Sequence, residues 1–114
     1  MQHTIDAKGK SLGRVASEAA KYLNGKMSAS FERNKKEDVV VSVLNASGMN
    51  MTDKKARTVT HIRYSGYPGG KTDTPLKRVI EKKGYAELVR HAVKGMLPAN
   101  KLRPTLMKKL IITE

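Results

Sequence analysis

The sequence contains no cysteine and no tryptophan, one phenylalanine, four tyrosines and only 10 acidic side chains in 114 residues. Each shortage closes off a class of answer. Without cysteine there is neither a disulfide nor a thiolate metal site, a composition compatible with a reducing compartment. No apolar run approaches the roughly 20 residues needed to cross a bilayer. The opening MQHTIDAKGK lacks the hydrophobic centre of a signal peptide, so a cytoplasmic chain is expected. Aromatic anchors are too few for a membrane-surface helix, and no membrane partner is expected.

The sequence is rich in positive charge. Lys and Arg number 23, so the formal charge is 23 − 10 = +13, far beyond what solubility asks of a small domain. A polyanionic partner follows from that excess. The length suits one domain over residues 1–114, long enough to own a hydrophobic core.

Periodicity predicts an alternation of strands and helices. A short extended entry over residues 3–7 leads through the turn Lys8-Gly9-Lys10 to Ser11, a good N-cap. Leu12, Val15, Ala16, Ala19, Ala20 and Leu23 then form an apolar helical stripe over residues 11–24, which Asn24-Gly25 stops in the left-handed manner. Residues 26–37 read as a polar loop exposing Arg33, Lys35 and Lys36, with Glu37-Asp38 at its edge. The β-branched run over residues 38–45 scarcely alternates, as in a strand covered on both faces. Strand, helix, strand is a βαβ unit, and helices on both sides of a mainly parallel sheet are expected.

The second half is more basic. Signals between Ala46 and Ala56 are weak, with Met49 and Met51 expected to plug the core edge. Residues 58–64 are β-branched enough for a strand that runs into the glycine loop Ser65-Gly-Tyr-Pro-Gly-Gly70. Thr74 as N-cap and Pro75 at the first helical position mark a helix start, and Gly84 ends that helix. A further helix follows over residues 85–96, with Leu88, Val89, Ala92, Val93 and Met96 inward and Arg90, His91 and Lys94 outward. Leu97-Pro98 stops it. Leu102, Leu106 and Leu110 predict a second short helix, and residues 110–113 a last strand.

Two intervals carry the functional signal. Residues 54–72 hold Lys54, Lys55, Arg57, Arg63 and Lys71 with no acid, and between Glu87 and Glu114 lie Arg90, Lys94, Lys101, Arg103, Lys108 and Lys109, again with no acid. Such intervals read as phosphate-facing surface or as solvated helix faces. The glycine loop reads as a turn or as a cradle of backbone N–H groups for phosphate, and Tyr64 and Tyr67 beside it can stack on unpaired bases. Structured RNA fits better than duplex DNA, for which no helix-turn-helix, zinc finger or long basic helix is present.

The enzyme alternative rests on Gly9-Lys10-Ser11, the end of the phosphate-loop pattern G-x-x-x-x-G-K-[ST]. It would make the chain a phosphate- or nucleotide-binding enzyme, but Thr4 stands where the first glycine belongs. His3, His61 and His91 match no metal motif. No catalytic residue, cofactor, metal or small-molecule substrate is expected.

Asp6-Ala-Lys-Gly-Lys-Ser-Leu-Gly-Arg14 with its helix, Val43-Leu-Asn-Ala46, Tyr64-Ser-Gly-Tyr-Pro-Gly-Gly70, and Val93-Lys-Gly-Met-Leu-Pro98 leading to Leu110 occur in the order and spacing of one family. On these motifs the chain resembles the bacterial-type thirteenth protein of the large ribosomal subunit, the ribosomal protein L thirteen family. That resemblance implies a three-layer α/β/α fold around a small, mainly parallel four-stranded sheet. It also implies a non-catalytic protein in the cytoplasmic ribosome, binding and organising large-subunit ribosomal RNA early in assembly, beside neighbouring large-subunit ribosomal proteins. Against the family pattern the chain is short at both ends, Ser65 stands where threonine is frequent, and Asp53 where glycine is frequent. The residues expected to meet RNA are Lys10, Arg14, Lys54, Lys55, Arg57, Arg63, Gly66, Gly69, Gly70, Lys71, Lys94, Lys101, Arg103, Lys108 and Lys109.

Overall fold

A computed structural model describes residues 2–32 and 39–114. Its elements run β1 (Gln2–Asp6), α1 (Leu12–Leu23), β2 (Val40–Leu44), a 3-10 turn (Ala46–Gly48), α2 (Asp53–Thr58), β3 (Thr60–Tyr64), β4 (Lys71–Pro75), α3 (Leu76–Lys83), α4 (Tyr85–Met96), α5 (Arg103–Lys108) and β5 (Leu110–Ile112). The loop residues Arg33, Lys35 and Lys36, and the pair Glu37-Asp38, lie outside the described residues.

Helix α1 forms where its stripe demands. Leu12, Val15, Ala16, Ala19, Ala20 and Leu23 are all buried, and Gly25 takes the left-handed turn at φ +76° that Asn24, still right-handed, does not. Ser11 sits at the N-cap in extended conformation, but its hydroxyl caps nothing. Strands β1 and β2 pair in parallel on either side of α1 in the chain, and β5 joins the other edge of β2, giving the order β1-β2-β5.

Register then decides which residues make the core. Partners across the ladder share a face, so His3, Ile5, Val41, Val43, Leu110 and Ile112 point the same way. That face is covered by α1 and α4, which also pack on each other. Leu88, Val89 and Val93 of α4 are fully buried, each contributing about 1.5–3 kcal/mol of burial. Leu76 and Val79 of α3 and Leu106 of α5 complete the same cluster. On the opposite face Val40 and Ser42 are half-buried, while Leu44 and Ile111 are exposed, so the β-branched run that predicted a strand covered on both faces is fully covered on only one of them by the described residues.

The α/β class and the mainly parallel sheet are as expected, with differences in detail. The parallel sheet has three described strands, and β3 and β4 form an antiparallel pair of their own. Thr74 and Pro75 do not start a helix. They end β4, because pairing of Thr74 with His61 holds this stretch extended, and α3 begins one residue later with Pro75 at its N-cap. Leu110 belongs to β5, so its four-residue spacing from Leu106 crosses an element boundary. Met96 is 46% exposed, because the chain turns at Leu97-Pro98 and Leu97 occupies the inward position. Helix α2 was not expected. Its sequence signal is Thr52, whose hydroxyl accepts the Lys55 N–H at 3.2 Å, followed by Asp53 in the first turn.

Candidate nucleic-acid interface

The glycine loop is the tip of a projecting hairpin. Strands β3 and β4 are exposed along most of their length, and the fold holds them mainly at their base, where the Leu76 N–H donates to the Val59 carbonyl at 3.1 Å. Farther out, the His61 ring stacks on His91 of α4 with centroids 3.7 Å apart. Burial, then the neighbouring His91, hold the His61 pKa below its ordinary value against the opposing pull of Glu87. The radius of gyration is 15.1 Å, against about 13 Å for a compact chain of this length.

At the tip, Gly66 and Gly69 have φ +89° and +74°, conformations that other residues rarely adopt. A side chain on Gly70 would collide with the Ser65 hydroxyl and crowd the Tyr67 carbonyl at 3.0 Å. The Gly70 N–H is spent on that carbonyl at 2.9 Å. Turn geometry therefore accounts for all three glycines. The space around Gly66 and Gly69 is open, which leaves the loop accessible to a partner.

The cations distribute over several elements. Lys10 precedes α1 and pairs with Glu18 at 3.5 Å, and Arg14 is exposed in the first turn of that helix. Lys10 is placed by a turn fixed from below, where Asp6 accepts from the Asn45 side chain and the Lys8 N–H, both at 3.0 Å. Those two bonds, the Asn45 bond first, lower the Asp6 pKa. Lys54, Lys55 and Arg57 lie on α2, with Lys55 half-buried, and Arg63 and Lys71 on the hairpin. Lys94 is on α4, Lys101 before α5, and Arg103 and Lys108 on α5, with Lys109 following it. Among the described residues, Arg14, Lys54, Arg63, Lys71, Lys94 and Lys101 are exposed and join no ion pair.

Topology sorts these cations into groups. Lys10 follows the carboxyl end of β1, whereas Lys108 and Lys109 precede the amino end of β5, so the parallel sheet separates them to opposite ends. The sequence reading missed Lys77 and Arg78. They stand beside Arg57 around a shallow depression that also includes Pro75 and Glu81. Their signal was the polar side of α3, opposite buried Leu76 and Val79. A second depression, about 390 Å³ and mainly apolar, lies between the carboxyl ends of α1 and α4 and is lined by Leu23, Phe31, Met96, Leu97, Leu102 and Leu106 among others.

The Gly9-Lys10-Ser11 turn does not form a phosphate loop. The Gly9 N–H donates to the Gly48 carbonyl at 3.0 Å and the Lys10 N–H to the Ala7 carbonyl at 3.1 Å, so two of the donors a phosphate would need are engaged. Among the described residues no cluster of His, Asp and Glu could hold a metal ion, and no helix is long and apolar enough to cross a membrane.

Comparison with known proteins gives a consistent result. The family model described as Ribosomal protein L13 matches residues 1–113. The large ribosomal subunit protein uL13 of Dehalococcoides mccartyi is 40% identical over 112 residues, covering 98% of this chain and 78% of that protein. Its counterpart in Desulfitobacterium hafniense is 41% identical over 108 residues, covering 95% and 75%. That of Treponema pallidum is 39% identical over 110 residues, covering 96% and 77%.

Proposed function

The chain belongs to the ribosomal protein L13 family, and from that premise we propose that it is a structural constituent of the large ribosomal subunit that binds and organises large-subunit ribosomal RNA early in assembly. Residues 1–114 act as one RNA-binding domain in the cytoplasmic ribosome, alongside neighbouring ribosomal proteins. It is not an enzyme.

The observation that carries this reading is the separation of charge from core. The described core holds no buried polar or charged residue, although the chain carries a formal charge of +13, so the charge of the described residues stands outside that core. Lys and Arg neutralise phosphates and release their counterions, and the folded core fixes which phosphates are met. Lys10, Arg14, Lys54, Lys55, Arg57, Arg63, Lys71, Lys94, Lys101, Arg103, Lys108 and Lys109 supply the charge, with Gly66, Gly69 and Gly70 shaping the hairpin tip. Base reading is minor in this mechanism.

The test is filter binding of the purified chain to a large-subunit RNA transcript across a salt series. The logarithm of affinity falls linearly with the logarithm of salt, at roughly 0.7–0.9 per phosphate neutralised. Affinity that stays flat from low to moderate salt refutes the electrostatic mechanism.

A further inference from the structure

The three most exposed large hydrophobic side chains among the described residues are Tyr67 at 75%, Tyr64 at 65% and Ile62 at 63%. All three lie within six consecutive residues of the β3–β4 hairpin. Clustered apolar exposure on a projecting element marks an interaction surface. The hairpin itself points the same way, since two strands without a covering layer are marginal in water.

The register gives the hairpin two different faces. His61 and Arg63, opposite Thr74 and Thr72, share the side on which His61 meets α4. Ile62 and Tyr64, opposite Asp73 and Lys71, share the other. That outward side therefore sets an exposed phenol ring across from an exposed ammonium, with no helix of the described residues lying over either.

Tyr67 stands beyond them on the tip, and its backbone is held on both sides. Its N–H reaches the Ser65 hydroxyl at 3.5 Å, and its carbonyl accepts the Gly70 N–H at 2.9 Å. Pro68 stiffens the next step. The loop is thus fixed while the ring is free, so ordering that ring on a partner has a small entropic cost.

We propose that the outward face of this hairpin is a stacking arm, on which Tyr64 and Tyr67 take unpaired bases of the RNA while Lys71 meets an adjoining phosphate. The inference rests on the RNA-binding reading above and names what part of the RNA this site takes. Unpaired nucleotides are the occupant favoured by charge. Residues 54–72 contain five cations and no acid, and on the outward face itself Lys71 stands at the tip end opposite Tyr64 while the exposed Asp73 lies farther toward the base, opposite Ile62. The tip therefore favours an anionic partner, and a nucleotide joins a flat apolar face to a negative charge.

The experiment compares four full-length proteins in binding to a large-subunit RNA transcript over a salt series. These are the parent, the Tyr64→Leu/Tyr67→Leu double variant, the Tyr64→Phe/Tyr67→Phe double variant, and Lys71→Gln. The Leu variant is expected to bind roughly 5- to 150-fold more weakly per base unstacked, with the parent's salt slope, because stacking releases no counterions. The Phe variant keeps the rings and binds like the parent. Lys71→Gln lowers the salt slope by about one phosphate's worth. Thermal melting of each variant separates a weakened interface from a weakened fold, and melts close to the parent's are expected, since these side chains are exposed.

Equal binding by the parent and the Leu variant overturns the stacking arm while leaving RNA binding intact. Equal weakening in the Phe and Leu variants also overturns it, pointing to the hydroxyls. A Leu variant that binds naked RNA normally but fails to enter assembled large subunits makes this a protein-docking face and overturns it too. A parent that binds no RNA at any salt brings down both this inference and the reading on which it rests.

Discussion

Replacing Leu106 by Ala separates the two roles of the basic carboxyl-terminal stretch. Leu106 is 6% exposed and packs from α5 into the core cluster with Leu97 and Leu23. Leu→Ala changes in cores cost about 2–5 kcal/mol, depending on how large a void is left. Here Leu106 also lines the open apolar depression of about 390 Å³, so part of the space it vacates merges with an existing groove. The low end, about 2–3 kcal/mol, is therefore expected.

For 114 residues the unfolding entropy is about 0.24 kcal/mol/K, so each kcal/mol moves Tm by about 4 °C and the variant melts about 8–12 °C below the parent. Binding to the RNA transcript at a temperature well below that melt stays near the parent's. Lys101→Gln/Lys108→Gln should behave in the opposite way. Both lysines are exposed, so stability stays within about 0.5 kcal/mol, or about 2 °C. The salt slope of RNA binding falls by roughly 0.7–0.9 for each phosphate that is no longer neutralised. Melting and filter binding on the same preparations read both arms. A Leu106→Ala melt within 2 °C of the parent would refute the packing argument, and unchanged affinity and slope in the double Gln variant would remove this end of the molecule from the RNA surface.

The remaining predictions concern the hairpin and the cap of α4. Gly69→Val forces a β-branched residue to φ +74°, a local strain of about 1–3 kcal/mol. It should reduce RNA affinity more than it lowers the global melt, and a lowered melt with unchanged affinity would leave the loop a turn and nothing more. Because the folded-state pKa of His61 lies below the ordinary 6.5, its stabilising contribution is full above pH 6.5 and is lost as pH falls through the folded-state value. His61→Phe should flatten the decline of Tm between neutral and mildly acidic pH, and an unchanged decline would show that the His61–His91 pair is not its source. At the start of α4, the Glu114 carboxylate accepts the Ala86 N–H at 3.0 Å where Gly84 offers no side-chain cap. Glu114→Ala should cost about 0.5–2 kcal/mol and Glu114→Gln less, and a melt unaffected by the Ala change would dismiss the cap.

Elements whose signal is local were legible in the chain alone. The stripe of α1 needs only the helical period, the stop at Leu97-Pro98 only the chemistry of proline, and the positive-φ turn at the hairpin tip only its glycines. The excess of positive charge is likewise a property of composition, and it pointed to a polyanion before any fold was known. Whatever depends on which strand pairs with which emerged only in the folded chain. Pairing of Thr74 with His61 kept Thr74-Pro75 extended against a strong helix-start signal. The turn after α4 gave the inward place to Leu97 and left Met96 exposed, although both belong to one apolar run.

The candidate surface divides along the same line. That most Lys and Arg face outward was legible, because 10 acidic side chains are too few to neutralise 23 cations inside a core. That Lys77 and Arg78 join Arg57 was not, because α2 and α3 meet only after the hairpin between them has folded back. Nor could spacing alone tell which ring of the glycine motif turns outward. A strand's side chains alternate between two faces, and only docking of His61 on His91 settles which face is covered and which presents Tyr64 to a partner.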